Sequence, residues 1–90
     1  MEIDIQAESS EGQILLIEVK KKQIKVSLAE VEDFWEKVER FQKLNPEKTI
    51  LSAFLGFGDF QDKAKSFCED HQMGMATKIA YLNSQLTKLP

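Results

Sequence analysis

The spacing of apolar and polar positions changes period along the chain, and each change marks an element. Residues Glu2 to Glu8 alternate, with Ile3 and Ile5 on one face and Glu2, Asp4 and Gln6 on the other, which predicts a strand. After the polar stretch Ser9-Ser10-Glu11-Gly12, the segment Gln13 to Lys21 holds four consecutive apolar residues, Ile14 to Ile17, as a strand buried on both faces requires. From Ser27 the period becomes helical. Ser27 and Glu30 have the spacing of a capping box, and Val31, Phe34, Trp35, Val38 and Phe41 recur at three- and four-residue intervals. Leu44 is expected to close that stripe and Asn45-Pro46 to stop the helix. Thr49 to Gly58 is apolar on both faces and predicts a central strand. Asp59 is expected to cap a second helix running to about Asp70, with Phe60, Ala64, Phe67 and Cys68 turned inward. Gly74 marks its exit, Met75 to Tyr81 predicts a short fourth strand, and Asn83 to Pro90 is a polar tail.

The expected order is therefore β-β-α-β-α-β, an α/β fold. A hairpin followed by strand-helix-strand crossovers makes a mixed sheet, antiparallel first and parallel afterwards. Ninety residues make at most one domain, expected to span residues 1–82, with residues 83–90 as the tail.

Composition narrows the class. Hydrophobic residues make up 42% of the chain, an ordinary share for a globular domain, and no apolar run approaches the roughly 20 residues of a membrane span. Met1-Glu2-Ile3-Asp4 has none of the features of a signal peptide, and a lone cysteine, Cys68, excludes an internal disulfide. Both fit a reducing, cytoplasmic setting. Cys68, beside Phe67 on the second helix, reads as a small core residue and not as a nucleophile. His71, at that helix's end, suits the helix dipole better than a metal. Gly56 and Gly58 lack the following lysine of a phosphate loop and read as a strand exit. Phe34, Trp35 and Phe41 have the spacing of helix-to-sheet core, not of a base-stacking surface. The net charge of −3 argues against a generally basic nucleic-acid binder, yet Lys20, Lys21, Lys22 and Lys25 cluster within six residues while the acids gather on the first helix.

The candidate chemistry lies in the hairpin. Glu18 and Lys20 sit at the end of an apolar strand, where an unpaired charge is costly, so they need each other, a cation or solvent. Two loops fit the turn. A two-residue loop Ser10-Glu11 sets Ile3 opposite Glu18, whereas a three-residue loop with Gly12 in the left-handed region sets Asp4 opposite Glu18, with Lys20 on the same face. Gly12 favours the longer loop. In that register two carboxylates and an ammonium converge, as a divalent cation and an activated water require.

The run Glu2-Ile3-Asp4-Ile5, then Ile17-Glu18-Val19-Lys20, then a charged helix containing Val31-Glu32-Asp33-Phe34, resembles the PD-(D/E)xK nuclease superfamily. This is the fold of restriction endonucleases and Holliday-junction resolvases. The resemblance covers roughly residues 2–81, with Asp4 as the first acid and Glu18-Val19-Lys20 as the (D/E)xK triplet. It implies a restriction-endonuclease-like mixed sheet and cleavage of DNA, ahead of RNA, with Mg²⁺ or Mn²⁺. Asp4, Glu18 and the Val19 carbonyl would hold the cation, Lys20 would complete the catalytic set, and Lys21, Lys22 and Lys25 would contact the phosphate backbone. Family members usually carry a helix before the first strand, often with a further glutamate at the site. This sequence begins at the strand, so either the chain is part of a longer protein or the site is incomplete, with Glu2 and Gln23 as accessory candidates. The competing expectation is a catalytically inactive module of the same fold, used for binding or for homodimerisation through apolar surface left uncovered.

Overall fold

The computed structural model describes residues 3–78. Within them the chain forms β1 (Ile5–Glu8), β2 (Gln13–Lys20), α1 (Leu28–Leu44), β3 (Thr49–Gly56), α2 (Asp62–Asp70) and β4 (Gly74–Ala76). The four strands make one mixed sheet in the order β1-β2-β3-β4, with β1 antiparallel to β2 and the other two pairs parallel. The α/β class and the element order are those expected.

The hairpin closes through the longer of the two loops. Ile5 pairs with Ile17 and Glu8 with Ile14, Ser9 N–H donates to the Gln13 carbonyl at 2.9 Å, and Gly12 sits at φ +80°. Glycine takes that left-handed conformation without strain. Because β1 has a single strand neighbour, all four of its residues stay exposed.

Two right-handed crossovers in the same direction place both helices on one face of the sheet. There Ile14, Leu16 and Phe54 meet Val31, Phe34 and Val38 of α1 and Ala64 and Cys68 of α2. Phe34 and Phe60 pack edge-on against Phe54, with ring centroids 5.8 and 5.9 Å away. Burying one such side chain is worth about 2 kcal/mol. Ile17, Ala53, Leu55 and Ala76 form a second buried cluster from the alternate positions of the same strands, so β2 and β3 bury both faces as their apolar runs require. Cys68 is fully buried, its Sγ 3.8 Å from Met73 Sδ, and burial pushes its thiol up to about 11, so it is an inert core residue.

α1 starts at Ser27 with the expected capping box. The preceding Val26 and the following Val31, both fully buried in the same cluster, form a hydrophobic staple across that cap. Several boundaries differ from expectation. Leu44 is 71% exposed, so the apolar stripe ends at Phe41. There the chain turns off the helix, with Asn45 Nδ2 donating to the Phe41 carbonyl and Gln42 Nε2 to the carbonyls of Asn45 and Lys48. β2 ends at Lys20, and β3 ends at Gly56 instead of Gly58, because the chain leaves the sheet through a tight turn in which Asp59 N–H donates to the Gly56 carbonyl.

Asp59 is not the cap of α2. It sits at φ 71° and its Oδ1 accepts from the next backbone N–H, while α2 begins only after Gln61. Phe60, expected on the helix, instead forms a parallel bridge with Val26. The Val26 N–H donates to the Asp59 carbonyl and the Gln61 N–H to the Val26 carbonyl, pinning the end of the Lys21–Val26 loop to the β3–α2 turn. The fourth strand is Gly74–Ala76, shorter and earlier than expected. Ile79 to Tyr81 of that expected strand, the 83–90 tail and Glu2 lie outside the described residues. His71 is the C-cap of α2, its Nδ1 2.8 Å from the Phe67 carbonyl and its ring stacked on Phe67.

The two turns should respond differently to added bulk. A Cβ on Gly12 meets open space, so Gly12→Ala incurs only backbone strain, about 1 kcal/mol. A Cβ on Gly58 collides with the backbone of Gln23 and Ile24, so Gly58→Ala must displace the loop and should cost about 1–3 kcal/mol. Urea denaturation of the two variants measures the difference; equal midpoints would contradict it.

Candidate active site

The register of the hairpin brings the predicted acids together. Asp4 lies in a bend just before β1 and, by continuation of the pairing, opposite Glu18. At this point the backbone ladder gives way to a side chain, because Asp4 Oδ2 accepts the Val19 N–H at 2.8 Å. That exchange ends the backbone ladder, so β1 starts at Ile5 and Asp4 lies outside it. In a strand the N–H and C=O of one residue point to the same edge, so the Val19 carbonyl also faces the Asp4 side.

Glu18 and Lys20 project from the helix-covered face of β2, alternating with Val19. Glu18 is flanked by Phe54, its partner on β3, and lies beneath α1, where Lys37 Nζ comes within 3.6 Å of its Oε2. Burial raises the Glu18 carboxyl above the usual range; Lys37 pulls it down and Asp4 pushes it up again, leaving it raised. Lys20 Nζ reaches the first turn of α1, 2.6 Å from Glu30 Oε1, and also donates to the Lys25 carbonyl. Glu30 thus joins two devices, accepting from Lys20 and from the Ser27 backbone N–H of the capping box. Burial raises its carboxyl, but the bonds from Lys20 and Ser27 outweigh that and hold it below the usual value. Glu30 is 38% exposed at its side chain, so solvent screening keeps the pair's contribution to folding small.

Asp4, Glu18, Val19 and Lys20 line one cleft of about 590 Å³, walled by Glu30, Asp33, Glu36, Lys37 and Arg40 of α1. A second depression of about 730 Å³ shares Asp4, Val19, Lys20 and Glu30 and continues to Lys21 and Lys22. The two make a groove from the flank of α1, across the paired acids, to the basic loop. Lys25 and Gln23 are exposed, and neither lines these depressions; Lys25 contributes only its carbonyl, to Lys20.

The α1 wall is the part of the site that the sequence reading missed. Glu30, Asp33, Lys37 and Arg40 recur at helical spacing, one residue behind the core stripe of buried Val31, Phe34 and Val38 and partly buried Phe41. A polar stripe flanking a core stripe lies where the helix leaves the sheet, and that adjacency was the available signal.

The donor set suits a hard cation. Among the described residues no group of three or more His, Cys, Asp or Glu side chains stands together as a metal cage. Two carboxylates and a backbone carbonyl are nonetheless enough for Mg²⁺, which keeps several waters and takes further oxygens from phosphate.

Glu18 and Glu30 should respond to pH in opposite senses. The Glu18 carboxyl is raised on folding, so its ionisation opposes folding as pH climbs from about 4.5 through the raised value; Glu18→Gln should therefore be more stable than wild type at pH 7 and lose that advantage in acid. The Glu30 carboxyl is lowered, so its contribution is full above about 4.5 and disappears as pH falls through the depressed value; Glu30→Gln should be less stable at pH 7 and converge with wild type in acid. Thermal melts across pH 3–7 read both differences, and parallel curves for the two variants would contradict the assignment.

Comparison of the chain with protein-family models, with curated proteins and with solved structures finds no match.

Proposed function

We propose that this protein hydrolyses phosphodiester bonds in DNA with a divalent cation, by the chemistry of the PD-(D/E)xK nucleases. The observation that supports this reading is the convergence of Asp4, Glu18, Val19 and Lys20 on one cleft open to solvent. Asp4 also accepts the Val19 N–H, but the same side chain sets a second negative charge beside Glu18 and makes Glu18 harder to ionise, a cost that a shared cation would offset.

Asp4, Glu18 and the Val19 carbonyl would hold Mg²⁺ or Mn²⁺. The bound cation supplies a water of lowered pKa and offsets negative charge on the phosphate. Lys20 has the role of charge stabiliser: its ammonium is held over the cleft by Glu30 and the Lys25 carbonyl, with a donor left to meet the phosphate oxygen on which charge develops. Water adds to phosphorus, the P–O bond to the leaving strand breaks, and the water's proton passes to solvent or to the leaving oxygen. Lys21 and Lys22, at the end of the groove, contact backbone phosphates without reading sequence.

The second reading is a binding or dimerising module of the same shape. It is favoured by the two ion pairs, Lys20–Glu30 and Glu18–Lys37, which satisfy these side chains without any ligand. The two readings part in one assay. Labelled single-stranded, flapped and branched DNA is incubated with the protein and Mg²⁺ or Mn²⁺. Cleavage should occur with wild type and fall at least about a hundredfold in Asp4→Ala, Glu18→Ala and Lys20→Ala, with chelator abolishing it. DNA binding without cleavage under any of these conditions would sink the nuclease reading in favour of the module.

A further inference from the structure

The acids and the lysines of the cleft are not paired as their order in the sequence suggests. Lys20, two residues from Glu18 on the same strand face, pairs with Glu30 in the same cleft. The cation beside Glu18 comes instead from α1, as Lys37. Asp4 adds a second negative charge against Glu18, and Lys37 is the cation in ion-pair contact with Glu18, while Arg40, Asp33 and Glu36 of α1 line the same cleft. At 3.6 Å the Lys37–Glu18 contact is longer than a well-formed hydrogen bond, so Coulomb attraction holds it and the flexible lysine stem can withdraw. The Lys37 side chain is about one-third exposed, which leaves it a path into the open cleft.

We infer that Lys37 is a positioning residue that stands in for the divalent cation: it balances Asp4 and Glu18 when no ion is bound and is displaced when one enters. The inference rests on the reading of Asp4 and Glu18 as a cation site. Lys37 is then a built-in competitor that weakens cation affinity while keeping the two acids converged. A unit charge held about 4 Å from a divalent ion would lower its affinity by roughly thirtyfold in a water-like dielectric, and withdrawal of the lysine stem reduces that to about tenfold.

The test is calorimetric titration of Mn²⁺ into wild type, Lys37→Met and Lys43→Met at low ionic strength, with circular dichroism reporting the fold. Lys43, in the last turn of α1 and outside the cleft, controls for loss of a positive charge in general. Lys37→Met should bind Mn²⁺ about tenfold more tightly than wild type, Lys43→Met within about twofold of it, and the gain should shrink as salt is added. A merely structural role for Lys37 predicts the opposite sign, because loosening the site weakens binding. If Lys37→Met folds poorly, Lys37→Gln must show the same gain and Lys37→Arg must not. Unchanged or weaker binding in the charge-removing variants, with wild-type binding still abolished by Asp4→Ala and Glu18→Ala, overturns this inference and leaves the cation site standing. No Mn²⁺ binding in either wild type or Lys37→Met overturns both.

Discussion

The hydrogen bond from the Val19 N–H to Asp4 Oδ2 is the point on which the site depends. It exists only in the register set by the Gly12 turn, in which Ile5 lies opposite Ile17. A slip of one residue would turn Asp4 to the other face of the sheet and leave Glu18 without its neighbour. Using a carboxylate where a strand would offer a carbonyl also ends the ladder, and so opens the edge of β2 at Val19. Local pairing, the end of a strand and the placement of the acids are thus one structural event.

The second constraint is the crossover from β2 to β3. Its parallel pairing carries α1 back over the sheet and holds the helix's polar flank above the end of β2. The capping box ties into this arrangement, since Glu30 both closes the helix start and receives Lys20. The charges at the end of a core strand are tolerated because α1 provides a counter-charge for each: Glu30 for Lys20 and Lys37 for Glu18. The Lys21–Val26 loop between strand and helix is held in turn by Val26, whose backbone pairs with Asp59 and Gln61 and whose side chain lies against Gly56.

Features governed by neighbours in sequence were legible. Ser27 and Glu30 announced the start of α1, the apolar runs announced two strands buried on both faces, and Gly12 pointed to the longer loop. Features decided by distant contacts were not. Asp59 looks like a helix cap, but the Val26 backbone claims its carbonyl and Phe60 is drawn into a bridge, which moves the cap of α2 two residues on, from Asp59 to Gln61. Leu44 matched the helical period yet lies beyond the core that its stripe covers. The convergence of Asp4, Glu18 and Lys20 on one cleft could be anticipated from strand alternation. The contact of Lys37 with Glu18 could not, because it depends on how α1 docks on the sheet. Among the described residues no helix is long and apolar enough to cross a membrane, in line with the composition.

The central claim is that Asp4 and Glu18 share one cation. Crystals grown with Mn²⁺ and measured at its absorption edge address it directly, because the anomalous signal locates the ion without assuming any activity. The account predicts a peak between the two carboxylates, bordered by the Val19 carbonyl. A peak elsewhere, or none at a concentration that saturates binding in solution, would contradict it.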